Sequence, residues 1–222
     1  MQGDEITIGS FRGNPVGQGG FATVYRVTDT NGRVFALKLI NPDADELIRK
    51  SLYHEFSVLS ELIHTQVTHA HAFGVHQGRP YIVLDWVDGV ELFERFAIPS
   101  ADDFIQMLRQ LAGVMHFVHH RNWVHGDVKP ENFRWRTPSD TDSADSAPQL
   151  CLLDFGLARP VGDADRPRGA GTVGYCAPEF LNNLPADGRA DWYAVGIILY
   201  EWIFGVRPYA ADEPAVEIGG HL

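Results

Sequence analysis

The stretches His125-Gly-Asp-Val-Lys-Pro-Glu-Asn132 and Asp154-Phe-Gly156 decide the fold and the chemistry of this 222-residue chain. The first stretch places a carboxylate, a lysine and an amide in one loop. The second follows Leu150-Cys-Leu-Leu153, whose uninterrupted apolar character predicts a buried strand. Hard cations prefer oxygen ligands, so two carboxylates and an amide that converge on one cleft predict a site for magnesium and phosphate.

Each of these residues also has a plain structural interpretation when it is taken alone. Asp127 is then the cap of a loop, and Asp154 is a turn residue. These interpretations do not explain why all the segments occur together and in this order. The combination therefore favours the functional reading.

A glycine-rich turn lies upstream, at Gly17-Gln-Gly-Gly-Phe-Ala-Thr-Val24, between two predicted strands. Glycines allow backbone N–H groups to approach phosphate oxygens, because no Cβ stands in the way. Taken alone, the stretch fits an ordinary hairpin turn better. The following Asp29-Thr-Asn-Gly32 contains the Asn-Gly pair that predicts a second hairpin.

Ala36 and Lys38 lie two residues apart on the next predicted strand, so their side chains share one face. Glu55 follows on a helix predicted from about Asp45 to Ile63, on the same side as the apolar Leu52 and Leu59. An inward glutamate needs a cation, and Lys38 is the candidate.

Together these segments resemble the protein kinase signature, and in particular the catalytic domain of eukaryotic-like (Hanks-type) serine/threonine kinases. The resemblance covers nearly the whole chain and also includes Ala177-Pro-Glu179 and Asp191-Trp-Tyr-Ala-Val-Gly196. It implies an α+β fold of two lobes. A β-rich N-lobe with the hinge would take residues 1–87, and a mainly helical, incomplete C-lobe would take residues 88–222.

The resemblance also implies roles for individual residues, with ATP and Mg²⁺ as cofactors. Lys38, held by Glu55, would bind the α- and β-phosphates, and Asp127 would accept or orient the substrate hydroxyl proton. Lys129 would neutralise the transferring phosphoryl group. Asn132 and Asp154 would bind the metal. The nucleotide site would comprise Gly17, Gly19, Val24, Ala36, Lys38, Glu55, Asp85, Val87 and Asp154.

The substrate class follows from two further matches. In this family a lysine two residues after the catalytic aspartate marks serine/threonine specificity, and Lys129 is placed so. Thr172 matches the threonine that contacts that aspartate and lysine.

Because every residue for phosphoryl transfer is present, a nucleotide-binding pseudokinase is the weaker alternative. The tripeptide His125-Gly-Asp127 also resembles phosphotransferases that modify small molecules, but the other motifs favour protein substrates.

Two departures from the family pattern concern regulation. Gly126 stands where an arginine usually grips a phosphorylated residue, and residues 156–170 contain no Ser, Thr or Tyr. We therefore expect activity that does not depend on phosphorylation in this stretch. Asp163 or Asp165 is expected to pair with Arg159, Arg166 or Arg168, although exposed pairs contribute only about 0.2–1 kcal/mol.

A third departure concerns the nucleotide. Arg134 falls where the family usually places an apolar residue beneath the adenine. A buried, unpaired guanidinium would cost several kcal/mol, at least about 3. Its side chain should therefore extend to solvent or meet a carboxylate.

Composition also limits the partners and the cellular location that are expected for this chain. A formal charge of −11 argues against nucleic acid as a partner, since phosphate backbones recruit basic surfaces. The two cysteines, Cys151 and Cys176, form no disulfide framework, so a reducing, cytoplasmic location is expected. No signal peptide or membrane segment is visible. Kinase C-lobes usually continue beyond the equivalent of Leu222, so the chain is expected to continue into further helices or domains.

Overall fold

The computed structural model describes residues 5–95, 100–136, 148–163, 171–182, 184–185 and 187–222. The polar stretch 136–149, whose Ser, Asp and Pro content predicts a flexible loop, lies mostly outside these residues. By its internal contacts the chain divides into two compact units. One unit contains residues 1–64 and 68–87, and the other contains residues 65–67 and 88–222. The expected mixed α+β architecture is confirmed.

The first unit is an antiparallel six-stranded sheet in the order β1-β2-β3-β4-β6-β5, with one helix. Its elements are β1 (Ile6–Ile8), β2 (Phe11–Gln18), β3 (Ala22–Thr28), β4 (Val34–Ile40), α1 (Glu46–Glu61), β5 (Ala70–His76) and β6 (Arg79–Asp85). Alternate residues of the central strands, including Val27, Leu37, Leu39 and Val83, form one buried cluster. Burial of every second residue explains why these segments form strands rather than helices.

The predicted hairpin between β3 and β4 is present. Asp29 Oδ1 accepts hydrogen bonds from the backbone N–H groups of Asn31 and Arg33, and Gly32 adopts φ +79°. Glycine suits that left-handed conformation because it has no Cβ. The predicted helix is also confirmed: the Asp45 side chain caps α1 by accepting from Ile48 N.

The second unit is mainly helical. Its helices are α2 (Ala101–His120), α3 (Pro178–Leu181), α4 (Gly188–Phe204) and α5 (Pro214–His221). Its strands are β7 (Gly89–Glu91), β8 (Trp123–Val124), β9 (Phe133–Arg136), β10 (Gln149–Leu152) and β11 (Arg159–Pro160). They form a three-stranded sheet in the order β10-β9-β7 and a separate β11-β8 pair. The buried strand expected before Asp154 is β10.

The apolar helix α4 is not enclosed on all sides, although its composition favours that arrangement. Asp191, Ala194 and Ile198 are buried, whereas a second face exposes large side chains. The exposed residues are Trp192, Tyr200, Ile203 and Phe204. Composition alone therefore overestimates the burial of this helix. In the parts of the chain that are described, no helix is both long and apolar enough to span a membrane.

Helix α2 begins with a complete capping box. Ser100 Oγ accepts a hydrogen bond from Asp103 N at 3.2 Å, and the Asp103 carboxylate accepts one from Ser100 N at 3.0 Å. The sequence predicts this arrangement from the spacing of the two residues. The cap matters to the site because α2 carries His119, whose ring lies 2.8 Å from the Asp191 carboxylate described below.

We predict that Ser100→Ala lowers the free energy of unfolding by about 1 kcal/mol, because the substitution leaves an N–H group of the first turn without its acceptor. Urea denaturation measures the effect. Ser60→Ala on α1 is the matched control, since Ser60 Oγ donates only to the Phe56 carbonyl within its own helix. Equal effects of the two substitutions would contradict a capping role for Ser100.

Candidate active site

The first unit contains the ion pair that the sequence predicts. Lys38 Nζ lies 2.8 Å from Glu55 Oε2 and 3.0 Å from Oε1. The Glu55 side chain is only 2% exposed, whereas that of Lys38 is 19% exposed. A carboxylate buried to this degree requires a cation. The ion pair therefore holds the Lys38 ammonium in place while leaving it partly accessible to a ligand.

The other predicted nucleotide-binding residues of this unit lie on neighbouring strands. Gly17 pairs with Val24 across the β2-β3 hairpin, and Val24 pairs with Lys38 across β3 and β4. Ala36 pairs with Leu84, the residue before Asp85. Gly19 N donates to the Ala22 carbonyl inside the glycine turn, and Val87 is buried just beyond β6. The structure thus brings the turn, the lysine and the end of β6 onto adjacent strands.

In the second unit, Asp127 is held by Thr172 and Lys129. Asp127 Oδ1 accepts from Thr172 N at 3.0 Å and from Thr172 Oγ1 at 3.2 Å. Lys129 Nζ lies 2.8 Å from Asp127 Oδ2 and donates to Thr172 Oγ1 at 3.0 Å. The three side chains form a closed triangle, as the resemblance implies. The arrangement fixes the carboxylate while leaving it partly accessible.

Asn132 and Asp154 are connected through the backbone. Leu153 N donates to the Asn132 carbonyl at 2.8 Å, which places Asp154 directly beyond this link. Asn132 Nδ2 donates to the Asp127 carbonyl at 2.7 Å, so the amide oxygen is left for another partner. Asp154 is exposed and has φ +51°, a left-handed conformation that costs free energy outside glycine. An amide oxygen and an exposed carboxylate fit the ligand preference of magnesium.

Asp191 organises this loop, a role that the sequence does not reveal. Its carboxylate is 1% exposed and accepts from His125 N at 2.8 Å and from Gly126 N at 2.9 Å. His119 Nε2 on α2 lies 2.8 Å from the same carboxylate. The sequence marks Asp191 only as the first residue of a motif shared with the family and as a charged residue near the start of a very apolar helix, and neither signal names its partners. His119 gives no signal at all.

His125 is a packing residue of the second unit. Its ring meets that of Phe155 edge to face with centroids 4.7 Å apart, and its Nε2 lies 3.1 Å from the Leu153 carbonyl. In the first unit Leu59, on the same helix face as Glu55, is fully buried.

Arg159, one of the arginines expected to form an exposed pair with Asp163 or Asp165, is not exposed. Its side chain is buried, and the guanidinium carbon lies 4.3 Å from the centre of the Phe180 ring. The strand pair β8-β11 draws Arg159 into the second unit opposite Val124. Asp165, Arg166 and Arg168 lie outside the described residues. The sequence interpretation of Arg159 as an exposed loop residue is therefore wrong.

Arg134 meets a carboxylate, which is one of the two outcomes that its sequence position allows. Its Nη2 lies 3.6 Å from Glu91 Oε1, and its Nη1 donates to the Gly89 carbonyl at 3.3 Å. The side chain is 37% exposed. The contacts direct the guanidinium onto β7.

Comparison with known proteins agrees with this geometry. Residues 12–219 match the protein kinase domain, and the chain belongs to that family. The serine/threonine-protein kinase PknJ of Mycobacterium tuberculosis is 30% identical over 217 residues, which cover 93% of this chain and 36% of PknJ. PknF of the same species is 31% identical over 223 residues, with coverage of 93% and 45%.

A probable serine/threonine-protein kinase of Dictyostelium discoideum is 31% identical over 204 residues, which cover 87% of this chain and 42% of that protein. The chain thus spans less than half the length of each of these relatives. The family as a whole uses ATP and Mg²⁺ and acts on proteins, and the side-chain oxygens of Asn132 and Asp154 are of the kind that magnesium prefers.

We predict that Arg134→Leu tightens ATP binding by roughly three- to tenfold, because a leucine presents apolar surface to a base without a charge that needs a partner. Isothermal titration calorimetry measures the dissociation constant. Arg136→Leu on the same strand is the control and should leave it unchanged. If neither substitution alters affinity, the side chain at position 134 does not face the nucleotide.

Proposed function

We propose that this chain is the catalytic domain of an ATP-dependent protein serine/threonine kinase, which transfers the γ-phosphate of ATP to Ser or Thr hydroxyls of protein substrates. The observation that carries the proposal is the triangle of Asp127, Lys129 and Thr172. It joins an accessible carboxylate to a cation beside the segment Thr172–Glu179. The printed names of PknJ and PknF as serine/threonine kinases support the same class.

The residues of the triangle have complementary tasks in this proposal. Asp127 accepts the proton of the substrate hydroxyl, or orients the hydroxyl, as that oxygen attacks the γ-phosphorus and the bond from phosphorus to the β,γ-bridging oxygen breaks to release ADP. The ammonium of Lys129 compensates the negative charge on the transferring phosphoryl oxygens. Thr172 fixes both side chains, so they need little rearrangement during the reaction. Catalysis then consists of positioning and charge compensation.

The remaining predicted residues bind the cofactors. Lys38 binds the α- and β-phosphates, and Glu55 holds it in place. Asn132 Oδ1 and the Asp154 carboxylate are the groups that would hold magnesium. The ion supplies positive charge to the β- and γ-phosphate oxygens when it is bound with ATP.

We also propose that the enzyme acts in a reducing compartment, the cytoplasm. Neither Cys151 nor Cys176 is in a disulfide, and both are buried. Thiols outside any disulfide suit a compartment in which disulfides do not persist.

Asp127→Asn tests the reaction. We predict a fall in kcat of about 10²- to 10⁴-fold, because the amide cannot accept the hydroxyl proton as a base. ATP affinity should stay within about twofold, since the contacts proposed for the nucleotide are intact. The assay follows ³²P transfer to a generic basic protein and, in parallel, to a panel of small alcohols.

Asp102→Asn, at the exposed start of α2, is the matched control and should retain full activity. Transfer to a small alcohol but not to protein would replace the proposed activity with a small-molecule phosphotransferase. Binding of ATP without any transfer would identify a nucleotide-binding regulatory domain.

Activity is further predicted to be independent of phosphate in residues 156–170, which contain no hydroxyl side chain. The Thr172 hydroxyl is already engaged by Asp127 and Lys129. Phosphatase-treated enzyme, shown by mass spectrometry to carry no phosphate, should keep kcat within about twofold of the untreated enzyme. An inactive dephosphorylated enzyme that regains activity on phosphorylation would contradict this prediction.

A further inference from the structure

Arg159 is a charged side chain buried at the edge of the catalytic loop. It is 6% exposed, and its strand β11 pairs with β8, whose last residue, Val124, immediately precedes His125. Arginine is rarely buried to this extent unless its guanidinium has defined contacts. Its position therefore indicates a specific role for the side chain.

The first of these contacts is with Phe180. The guanidinium carbon lies 4.3 Å from the centre of the Phe180 ring, and Phe180 itself is buried on α3. A guanidinium over an aromatic face is attracted by the ring quadrupole, more strongly where water is excluded. The contact joins β11 to α3, which stand before and after residues 161–177 in the chain.

The second contact is with Gly126. This residue has φ +76°, and a Cβ placed on it would lie 3.0 Å from Arg159 Nη2 and 2.9 Å from the Leu157 carbonyl oxygen. The absence of a Cβ at position 126 thus lets both the guanidinium and the Leu157 carbonyl approach the loop backbone closely. Gly126 N is held by Asp191, and Asp127 is the next residue.

We propose that Arg159 is a positioning residue for the catalytic loop. Its guanidinium lies between the backbone of Gly126 and the Phe180 ring, and so couples the geometry at Asp127 to α3 by a contact within the chain. The coupling is permanent and needs no phosphate. This inference rests on the proposed kinase activity and gives a physical basis for its independence from phosphorylation.

The test compares kcat and KM of four variants of the full chain: Arg159→Met, Arg159→Lys, Phe180→Leu and the double variant Arg159→Met/Phe180→Leu. Methionine keeps an unbranched side chain but removes the charge, and leucine removes the aromatic face. We expect each of these two single substitutions to lower kcat about tenfold, with KM for ATP within twofold. Each single substitution already removes the contact between Arg159 and Phe180. The double variant should therefore be no slower than the slower single variant.

Arg159→Lys should recover part of the activity, because the ammonium retains the charge but not the planar stacking. Arg189→Met is the control, since Arg189 is exposed on α4 and contacts only Asp187 among the interactions described. If Arg159→Met fails to fold, Arg159→Lys and Phe180→Leu still measure the same contact. A folded Arg159→Met with unchanged kcat, or additive losses in the double variant, would overturn the proposal.

Hydrogen exchange separates this inference from the proposed function. The amides of residues 124–127 should exchange faster in Arg159→Met than in Arg189→Met, whether or not the protein transfers phosphate. A wild-type chain that lacks transferase activity but shows this difference would contradict the kinase activity and retain the positioning role. Equal exchange in the two variants would overturn the positioning role itself.

Discussion

The buried carboxylate of Asp191 is the constraint on which the catalytic loop depends. It accepts hydrogen bonds from two successive backbone N–H groups, those of His125 and Gly126, and its third partner is the His119 ring. A buried carboxylate needs such partners, because a buried polar group without hydrogen bonds costs free energy. Because the bonds reach the backbone, they fix the path of the loop regardless of which side chains it carries. The positions of Asp127 and Lys129, which follow in the same loop, depend on these hydrogen bonds to the Asp191 carboxylate.

The same principle of satisfying one charge with another operates at the reactive groups. Lys38 and Glu55 neutralise each other in the first unit, and Lys129 and Asp127 do so in the second. In the first pair the more exposed Lys38 is presented and the buried Glu55 holds it, whereas in the second pair both side chains stay partly accessible. Fixed charges of this kind need little reorganisation when a polyanionic ligand arrives, which is the main way in which a protein stabilises a transferring phosphoryl group.

The sequence is sufficient to predict contacts that follow from local periodicity. The inward direction of Glu55 follows from the apolar residues on its helix face, and its pairing with Lys38 follows from the cost of an isolated buried charge. The capping box at Ser100 follows from a spacing of three residues. The roles of Asp191 and His119 do not follow from local spacing, because their partners are backbone groups or lie about 65 to 72 residues away in sequence. The burial of Arg159 is missed for a related reason. Its neighbours in sequence are typical of an exposed loop, and its burial depends on the pairing of β11 with the distant strand β8.

The close approach of Arg159 to Gly126 also bears on how this protein can change over evolutionary time. A side chain at position 126 would have to adopt a left-handed backbone conformation and move the Leu157 carbonyl oxygen, whereas the Arg159 guanidinium, at the end of a flexible side chain, would need to shift only slightly. Recovery of arginine at 126 by one substitution would therefore cost stability mainly through the backbone. A change at position 159 alone would not remove that cost. The present arrangement is thus entrenched by the path of the main chain at position 126, which favours glycine.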